Sequence, residues 1–190
     1  ENIKTHYNYF GRKKSKVVSK FLKSSLDKKT RKSFIDSSLL SEVDLNKKYV
    51  YFPLAVDLER KLLIDAPFYT NQIEIIRSVV KSLPVGYSLY VKENPAQVSR
   101  EWRDINEYKE IMNIPNTYLI HPSYPSEKLL EKCSLVITIA GTSAFEATFY
   151  NKPALTFTNR SYTILPSINI IKEIPSMPKL IRDSLKIKPD

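Results

Sequence analysis

Hydrophobic residues recur with a helical period near the N-terminus of this chain, and their pattern changes after residue 48. Between residues 17 and 26, apolar side chains recur at roughly helical spacing, which predicts an amphipathic helix over residues 14–26. From residue 49 onward, short apolar runs alternate with stretches of helical period. The runs predict strands at residues 49–52, 87–91, 117–120, 135–139 and 154–157.

Helical stretches separate these strands, at residues 70–83, 101–112, 126–132 and 143–150. Strands that alternate with helices favour an α/β fold, with a Rossmann-like, doubly wound parallel sheet that carries helices on both sides. We expect three parts. They are a basic linker or helical arm (1–47), the Rossmann-like domain (48–163) and a proline-containing C-terminal extension (164–190), mostly loop with a short helix near residues 179–185.

Composition narrows the class of protein. With 190 residues, 42% of them apolar, the chain is long enough for one globular domain and too apolar to be disordered. Its single cysteine excludes an intramolecular disulfide, and no Cys/His cluster suggests zinc. The apolar runs fall short of the ~20 residues of a membrane helix. We see no signal peptide, and because the sequence does not begin with methionine we expect a piece of a longer protein.

Positive charge is concentrated near the N-terminus. The formal net charge is +10, and residues 1–48 hold 13 Lys/Arg against 5 Asp/Glu. The simplest interpretation is a solvated helix or linker, and the second is a surface for an anionic membrane or another polyanion. Nucleic acid is not expected, because no recognised nucleic-acid-binding motif accompanies the charge. The basic residues of the second interpretation are Arg12, Lys13, Lys14, Lys16 and Lys20.

Candidate chemistry lies in loops after three predicted strands, because open parallel sheets bind ligands beyond the carboxyl ends of their strands. Gly141, Thr142 and Ser143 form a small polar turn before a helix, with unpaired amides and hydroxyls suited to a phosphate. Glu146 follows one turn later and can accept hydrogen bonds from a ribose. Spacing alone favours a structural role, because Ser143 and Glu146 also match a capping box.

The other two loops carry charged and polar residues. Lys92 can neutralise a phosphate and Glu93 can orient it or act as a base, although an ordinary solvated pair fits as well. Asn94 and Pro95 form a common turn signal. His121 can donate to a phosphate or titrate near neutrality, but a single histidine in a loop is more often a polar surface residue. The sequence contains neither GxGxxG nor a P-loop.

Four motifs, taken in order, resemble those of a known family. They are Tyr49-Val50-Tyr51-Phe52-Pro53-Leu54, Val91-Lys92-Glu93-Asn94-Pro95, Gly141-Thr142-Ser143-Ala144-Phe145-Glu146-Ala147 and Lys152-Pro153. Over residues 48–160 this set is similar to the bacterial and archaeal capsule polysaccharide biosynthesis proteins, which include the β-Kdo transferases. Each motif alone is weakly specific, and the resemblance lies in their order and spacing.

The resemblance implies one half of a GT-B glycosyltransferase, the C-terminal domain that binds a nucleotide-sugar. It implies phosphate contacts at Thr142 and Ser143 and a ribose contact at Glu146, so the capping and ligand roles are combined. The histidine that such proteins direct at the donor phosphate is replaced here by Asn94, which cannot become cationic, and His121 is the candidate substitute. The nucleotide-sugar-binding residues predicted in this way are Lys92, Glu93, Asn94, Pro95, His121, Gly141, Thr142, Ser143 and Glu146.

We therefore predict the donor-binding domain of a glycosyltransferase for capsular or other surface polysaccharide, with no cofactor, no metal and a catalytic base outside this chain. The expected partners are a CMP- or UDP-linked sugar, a glycan or glycolipid acceptor and a missing N-terminal GT-B half. The expected location is the cytoplasm, with peripheral contact to the inner face of the cytoplasmic membrane. The alternatives are a nucleotide-sugar 2-epimerase-like enzyme, a non-catalytic polyanion- or membrane-binding module, and a degenerate domain that only packs against its partner half.

Overall fold

The chain divides into two units, residues 1–38 and residues 39–190. The computed structural model describes residues 14–56, 60–97 and 103–186. In the first unit it contains one helix, α1 (Lys14–Ser38), which begins as predicted and continues beyond the predicted end at residue 26. The continuation contains neither glycine nor proline and is rich in Lys and Arg, which are good helix formers. Neither α1 nor any other described helix is both long enough and apolar enough to cross a bilayer.

In its described residues, the second unit is built on a parallel sheet of six strands in the order β3-β2-β1-β4-β5-β6. The five predicted strands are confirmed to within one or two residues at each end. The sixth, β6, was not predicted, because its three residues lie in the proline-containing segment that we interpreted as mostly loop. The strands are β1 (Tyr49–Pro53), β2 (Ser88–Lys92), β3 (Thr117–Ile120), β4 (Leu135–Thr138), β5 (Ala154–Thr156) and β6 (Ile168–Ile170).

Helices join the strands and cover both faces of the sheet. We predicted no helix between β1 and residue 70, and this was wrong, because helix α2 spans Arg60–Asp65. The helix predicted at 101–112 begins at Ile105, where the Asp104 side chain accepts the N–H of Asn106 at 2.8 Å as its N-cap. The helices are α2 (Arg60–Asp65), α3 (Gln72–Ser82), α4 (Ile105–Met112), α5 (Ser126–Lys132), α6 (Ser143–Thr148) and α7 (Met177–Lys186).

One face of the sheet packs a layer of tyrosines under α5 and α6. The rings of Tyr49 and Tyr90 stack with their centroids 4.2 Å apart. Their hydroxyls donate to backbone carbonyls, Tyr49 to Leu129 and Tyr90 to Asp44, each at 2.8 Å. Burial raises the pKa of both hydroxyls, so they remain neutral donors. These bonds let a polar side chain lie in the core without an unsatisfied group.

The winding of the chain reverses beside β1. This strand pairs with β2 on one side and with β4 on the other, in parallel register (Tyr51 with Tyr90, and Val50 with Leu135). The connections after β1 and β4 therefore leave the sheet in opposite directions. A crevice forms at the carboxyl ends of two such strands, and it is the usual ligand position in doubly wound folds.

Replacement of Tyr49 by Phe tests the tyrosine layer. The ring is retained and the hydrogen bond to the Leu129 carbonyl is lost, so we expect the free energy of unfolding to fall by about 1 kcal/mol. Urea denaturation measures the change. The control Tyr150→Phe alters a half-buried ring and should change stability by less than about 0.5 kcal/mol. Equal effects of the two substitutions would contradict this assignment.

Candidate functional site

A small cleft opens where the winding reverses, at the carboxyl ends of β1 and β4. Its volume is about 120 Å³. Pockets that enclose a whole small molecule usually measure about 300–1,000 Å³, so this cleft fits one group of a ligand, such as a phosphate. The lining residues are Pro53, Leu54, Ala55, Val56, Leu62, Asn94, Thr138, Ala140, Gly141, Thr142 and Ser143.

The turn after β4 is fixed by hydroxyl groups. The Gly141 N–H donates to Thr138 Oγ1 at 3.2 Å, and the Tyr162 hydroxyl donates to the Gly141 carbonyl at 2.8 Å. A β-carbon at position 141 would lie 2.7 Å from Thr138 Oγ1. Glycine is therefore required for space, and the backbone of the turn can pack closely against the strand end.

The capping box predicted from Ser143 and Glu146 is not formed. Thr142 is the N-cap of α6, and it makes no side-chain hydrogen bond to the helix amides. Its hydroxyl donates to Glu146 Oε1 instead, at 2.7 Å. The pattern was wrong because the helix begins one residue earlier than the spacing assumed. Thr142 is exposed and lines the cleft together with Ser143, whereas Glu146 is half-buried and is not among the described cleft-lining residues.

Lys92 and Glu93 are buried, so the interpretation as a solvated pair was wrong. Lys92 Nζ donates to Ser126 Oγ at 3.0 Å, and burial lowers the pKa of its ammonium group. Neither side chain is among the cleft-lining groups of the described residues. Direct ligand contacts by this pair stay a prediction, and both side chains already have protein partners.

The Glu93 carboxylate is the centre of a buried network. Its oxygens accept from Arg103 Nε at 2.8 Å, from the Tyr108 hydroxyl at 3.0 Å and from the Asn94 N–H at 2.6 Å. Burial raises the pKa of the Glu93 carboxyl, while the Arg103 guanidinium and the hydrogen bonds from Asn94 and Tyr108 oppose that rise. Three donors directed at one carboxyl group match its ionised form, which only accepts hydrogen bonds.

The same network reaches the end of β1, through residues that we did not predict. Arg103 Nη2 donates to the Ala55 carbonyl at 2.6 Å. The Gln72 side-chain amide binds both backbone groups of Ala55, at 2.8 and 2.9 Å. Arg103 and Gln72 lie far from Ala55 in sequence, so no local motif marks them. In the sequence they are marked only as polar residues near the start of a helix, and the structure shows that both are buried.

Asn94 and His121 occupy different places. Asn94 lines the cleft, and its side-chain oxygen accepts the Ala96 N–H at 2.9 Å, as the Asn-Pro turn signal predicted; Pro95 is exposed. His121 follows β3, which β2 separates from β1. Its Nδ1 lies 2.6 Å from Ser123 Oγ, and it is not among the described cleft-lining residues. The structure therefore does not bring His121 to the position at which it would replace the family histidine.

The predicted basic surface is described in part. Lys14, Lys16 and Lys20 are exposed on α1, whereas Arg12 and Lys13 lie outside the described residues. Across the parts of the chain that the structure describes, no group of three or more His, Cys, Asp or Glu side chains could hold a metal ion.

The strand order and the cleft define a Rossmann-like α/β domain with a crevice at its switch point. The family model for "capsule polysaccharide biosynthesis protein" matches residues 2–165, and the chain belongs to that family. This confirms the resemblance read from the motifs. No curated protein is similar enough to this chain to count as a match.

Solved structures resemble the chain in fold. The UDP-GlcNAc 2-epimerase of Methanocaldococcus jannaschii is 16% identical, with a TM-score of 0.54 over 88% of this chain and 45% of that chain. The β-Kdo 2,7-transferase KpsC of Thermosulfurimonas dismutans is 16% identical, with a TM-score of 0.52 over 85% of this chain and 52% of that chain. The S. aureus MnaA–UDP structure is 18% identical, with a TM-score of 0.51 over 74% and 37%. The chain spans about half or less of each structure, and the predicted Rossmann-like α/β fold, of the kind that GT-B proteins contain, is confirmed.

Substitution of Gly141 by Ala tests the packing of the β4 turn. We expect the free energy of unfolding to fall by about 1–3 kcal/mol, because the added methyl group meets Thr138 Oγ1. In a Thr138→Ala background that oxygen is absent, so the same substitution should cost at least about 1 kcal/mol less. Urea denaturation of the four proteins gives the coupling. An equal cost in both backgrounds would show that Thr138 does not impose the glycine.

Proposed function

We propose that this chain is the donor-binding domain of a glycosyltransferase for capsular or other surface polysaccharide, and that its cleft holds the phosphate of a nucleotide-sugar. One observation carries the proposal. Three of the four family motifs, through Pro53 and Leu54, Asn94 and residues 141–143, converge on the cleft at the switch point. Membership in a capsule polysaccharide biosynthesis family supports a carbohydrate substrate.

The chemistry of the turn suits a leaving phosphate. The first amides of a helix lack intrahelical acceptors, and the Thr142 and Ser143 hydroxyls stand beside them. Donors held in advance around a developing negative charge stabilise it without reorganisation. The Glu146 carboxylate would accept hydrogen bonds from the ribose hydroxyls. The Thr142 hydroxyl, which donates to Glu146 in the unliganded structure, would then donate to the phosphate instead. Asn94 contributes a neutral donor where a histidine would add charge.

The remaining groups of the reaction would come from a second domain. A cleft of about 120 Å³ is too small for a whole nucleotide-sugar, so a facing surface has to complete the site. The solved structures that resemble the chain are longer, because the match covers only 45% and 52% of them. We assign the catalytic base and the acceptor site to such an N-terminal half, and leave the CMP or UDP identity of the donor to the titration below.

An epimerase is the second candidate, because several structures of similar fold are UDP-GlcNAc 2-epimerases. Family membership favours the transferase. The two activities differ in what they require, since a transferase needs an acceptor to release its nucleotide and an epimerase does not. Conversion of UDP-GlcNAc to its 2-epimer by the complete protein without acceptor would favour the epimerase.

The helix α1 supports a peripheral membrane site. Its apolar residues Val18, Phe21, Leu22 and Leu26 are each more than half exposed and recur at helical spacing. The helix contains eight Lys or Arg and two Asp, and its lysines are exposed along its length. Exposed apolar side chains with surrounding lysines suit an anionic lipid surface, where the apolar groups insert and the lysines meet phosphates.

Nucleotide binding tests the donor site. We expect one of CMP, CDP, UDP, GDP and ADP to bind, and Glu146→Ala or Thr142→Ala to weaken that binding about tenfold, or ~1.4 kcal/mol. Calorimetry measures both affinities. The control Glu131→Ala removes an exposed carboxylate from α5 and should leave affinity unchanged. Unchanged affinity in Glu146→Ala and Thr142→Ala would contradict the proposed site, and so would the absence of binding by any nucleotide to the complete protein.

Vesicle binding tests α1. We expect binding to vesicles of phosphatidylcholine with phosphatidylglycerol, and the variant Lys14→Gln, Lys16→Gln, Lys20→Gln should lose about 1 kcal/mol per lysine. The control Lys81→Gln, Lys128→Gln, Lys172→Gln makes the same charge change on other exposed lysines. Co-sedimentation over a range of salt concentrations measures binding. Equal losses in the two triple variants would show a general charge effect, and binding to heparin but not to vesicles would favour a polyanion.

A further inference from the structure

A buried guanidinium, that of Arg103, joins the two sides of the cleft. Arg103 Nε donates to Glu93, beside Asn94 at the end of β2, and Arg103 Nη2 donates to the Ala55 carbonyl at the end of β1. Ala55 and Asn94 both line the cleft. Arg103 therefore bridges two loops that the sheet itself does not join, because the β1–β2 ladder ends at the pair Pro53 and Lys92.

The bridge from Glu93 through Arg103 to Ala55 holds its two ends at a fixed separation. The Arg103 and Glu93 side chains are 4% and 0% exposed, and their ion pair measures 2.8 Å. A buried charge pair needs nearly complete hydrogen bonding to be tolerated, and both partners here have further bonds. Glu93 holds the Asn94 amide at 2.6 Å, while Gln72 holds both backbone groups of Ala55. Each end of the bridge is thus bonded to the backbone of a cleft wall.

We propose that Arg103 is a positioning residue, which sets the separation of the Ala55 and Asn94 walls and so prepares the cleft for an anionic ligand. The proposal rests on the proposed function for the identity of that ligand. Arginine is needed because its planar fork donates in two directions at once. Lysine would keep the charge, but its single ammonium group cannot reproduce both bonds of the fork.

The test compares Arg103→Lys with Arg77→Lys. Arg77 also pairs with a glutamate, Glu110, at 2.6 Å, but on the surface. We expect Arg103→Lys to weaken binding of the best nucleotide of the panel by about tenfold, and Arg77→Lys by less than about twofold. A third variant, Ile76→Val, shortens a fully buried core residue of α3 and should lower the melting temperature without changing affinity.

Amide exchange in the unliganded chain gives a second readout. The Asn94 and Ala55 amides both donate to side chains of the network. Arg103→Lys should therefore speed the exchange of these two amides about tenfold, whereas Ile76→Val should not speed it more than at other amides. If Arg103→Lys does not fold, Tyr108→Phe, which removes one donor from Glu93 and keeps the ring, should produce a smaller change of the same kind.

The outcomes separate the two proposals. Faster exchange at both amides with weaker nucleotide binding supports the positioning role. A lower melting temperature with unchanged affinity and unchanged exchange at Asn94 and Ala55 would overturn it and leave Arg103 a purely structural residue. If the wild-type protein binds no nucleotide, the proposed function fails, and the exchange rates still decide whether Arg103 holds the two walls.

Discussion

The cleft depends on the position of β1, which is hydrogen-bonded on both sides to strands that the chain reaches in opposite directions. All six strands are parallel, so their carboxyl ends meet at one edge of the sheet. The reversal beside β1 leaves the ends of β1 and β4 uncovered by a crossover helix. The motif loops are far apart in sequence, and this topology alone places them together.

Buried polar groups fix the backbone of the loops that surround the cleft. Thr156 and Thr158 direct their hydroxyls at the Ile139 carbonyl, at 3.1 and 3.3 Å, and Thr138 receives the Gly141 amide. On the other side of the cleft, the Glu93 carboxylate accepts the Asn94 N–H. Backbone held in this way cannot relax far without leaving a buried group unpaired. The arrangement suits a site whose donors have to be in place before the ligand arrives.

Periodicity was sufficient for the fold and insufficient for the site. Apolar runs identified β1 to β5 because buried parallel strands are apolar on both faces, but β6 is interrupted by the exposed Asn169 and lies in a proline-containing segment. The motifs and their order correctly predicted that Asn94 and the 141–143 turn lie at the carboxyl ends of the strands. They could not show that Thr142 rather than Ser143 occupies the N-cap position of α6, since a shift of one residue decides which side chain lies there. Nor could they reveal Arg103, whose partners lie 10 and 48 residues away.

A map of amide chemical shifts tests most directly whether a nucleotide lies in the cleft. The ¹⁵N-labelled protein would be titrated with the nucleotide that binds best, and each amide resonance followed. We expect the largest shifts at residues 141–144 and at Asn94, and smaller ones at Ala55. Saturable shifts that are confined to other regions, such as α1 or the β3 edge near His121, would contradict the assignment of the cleft as the donor site.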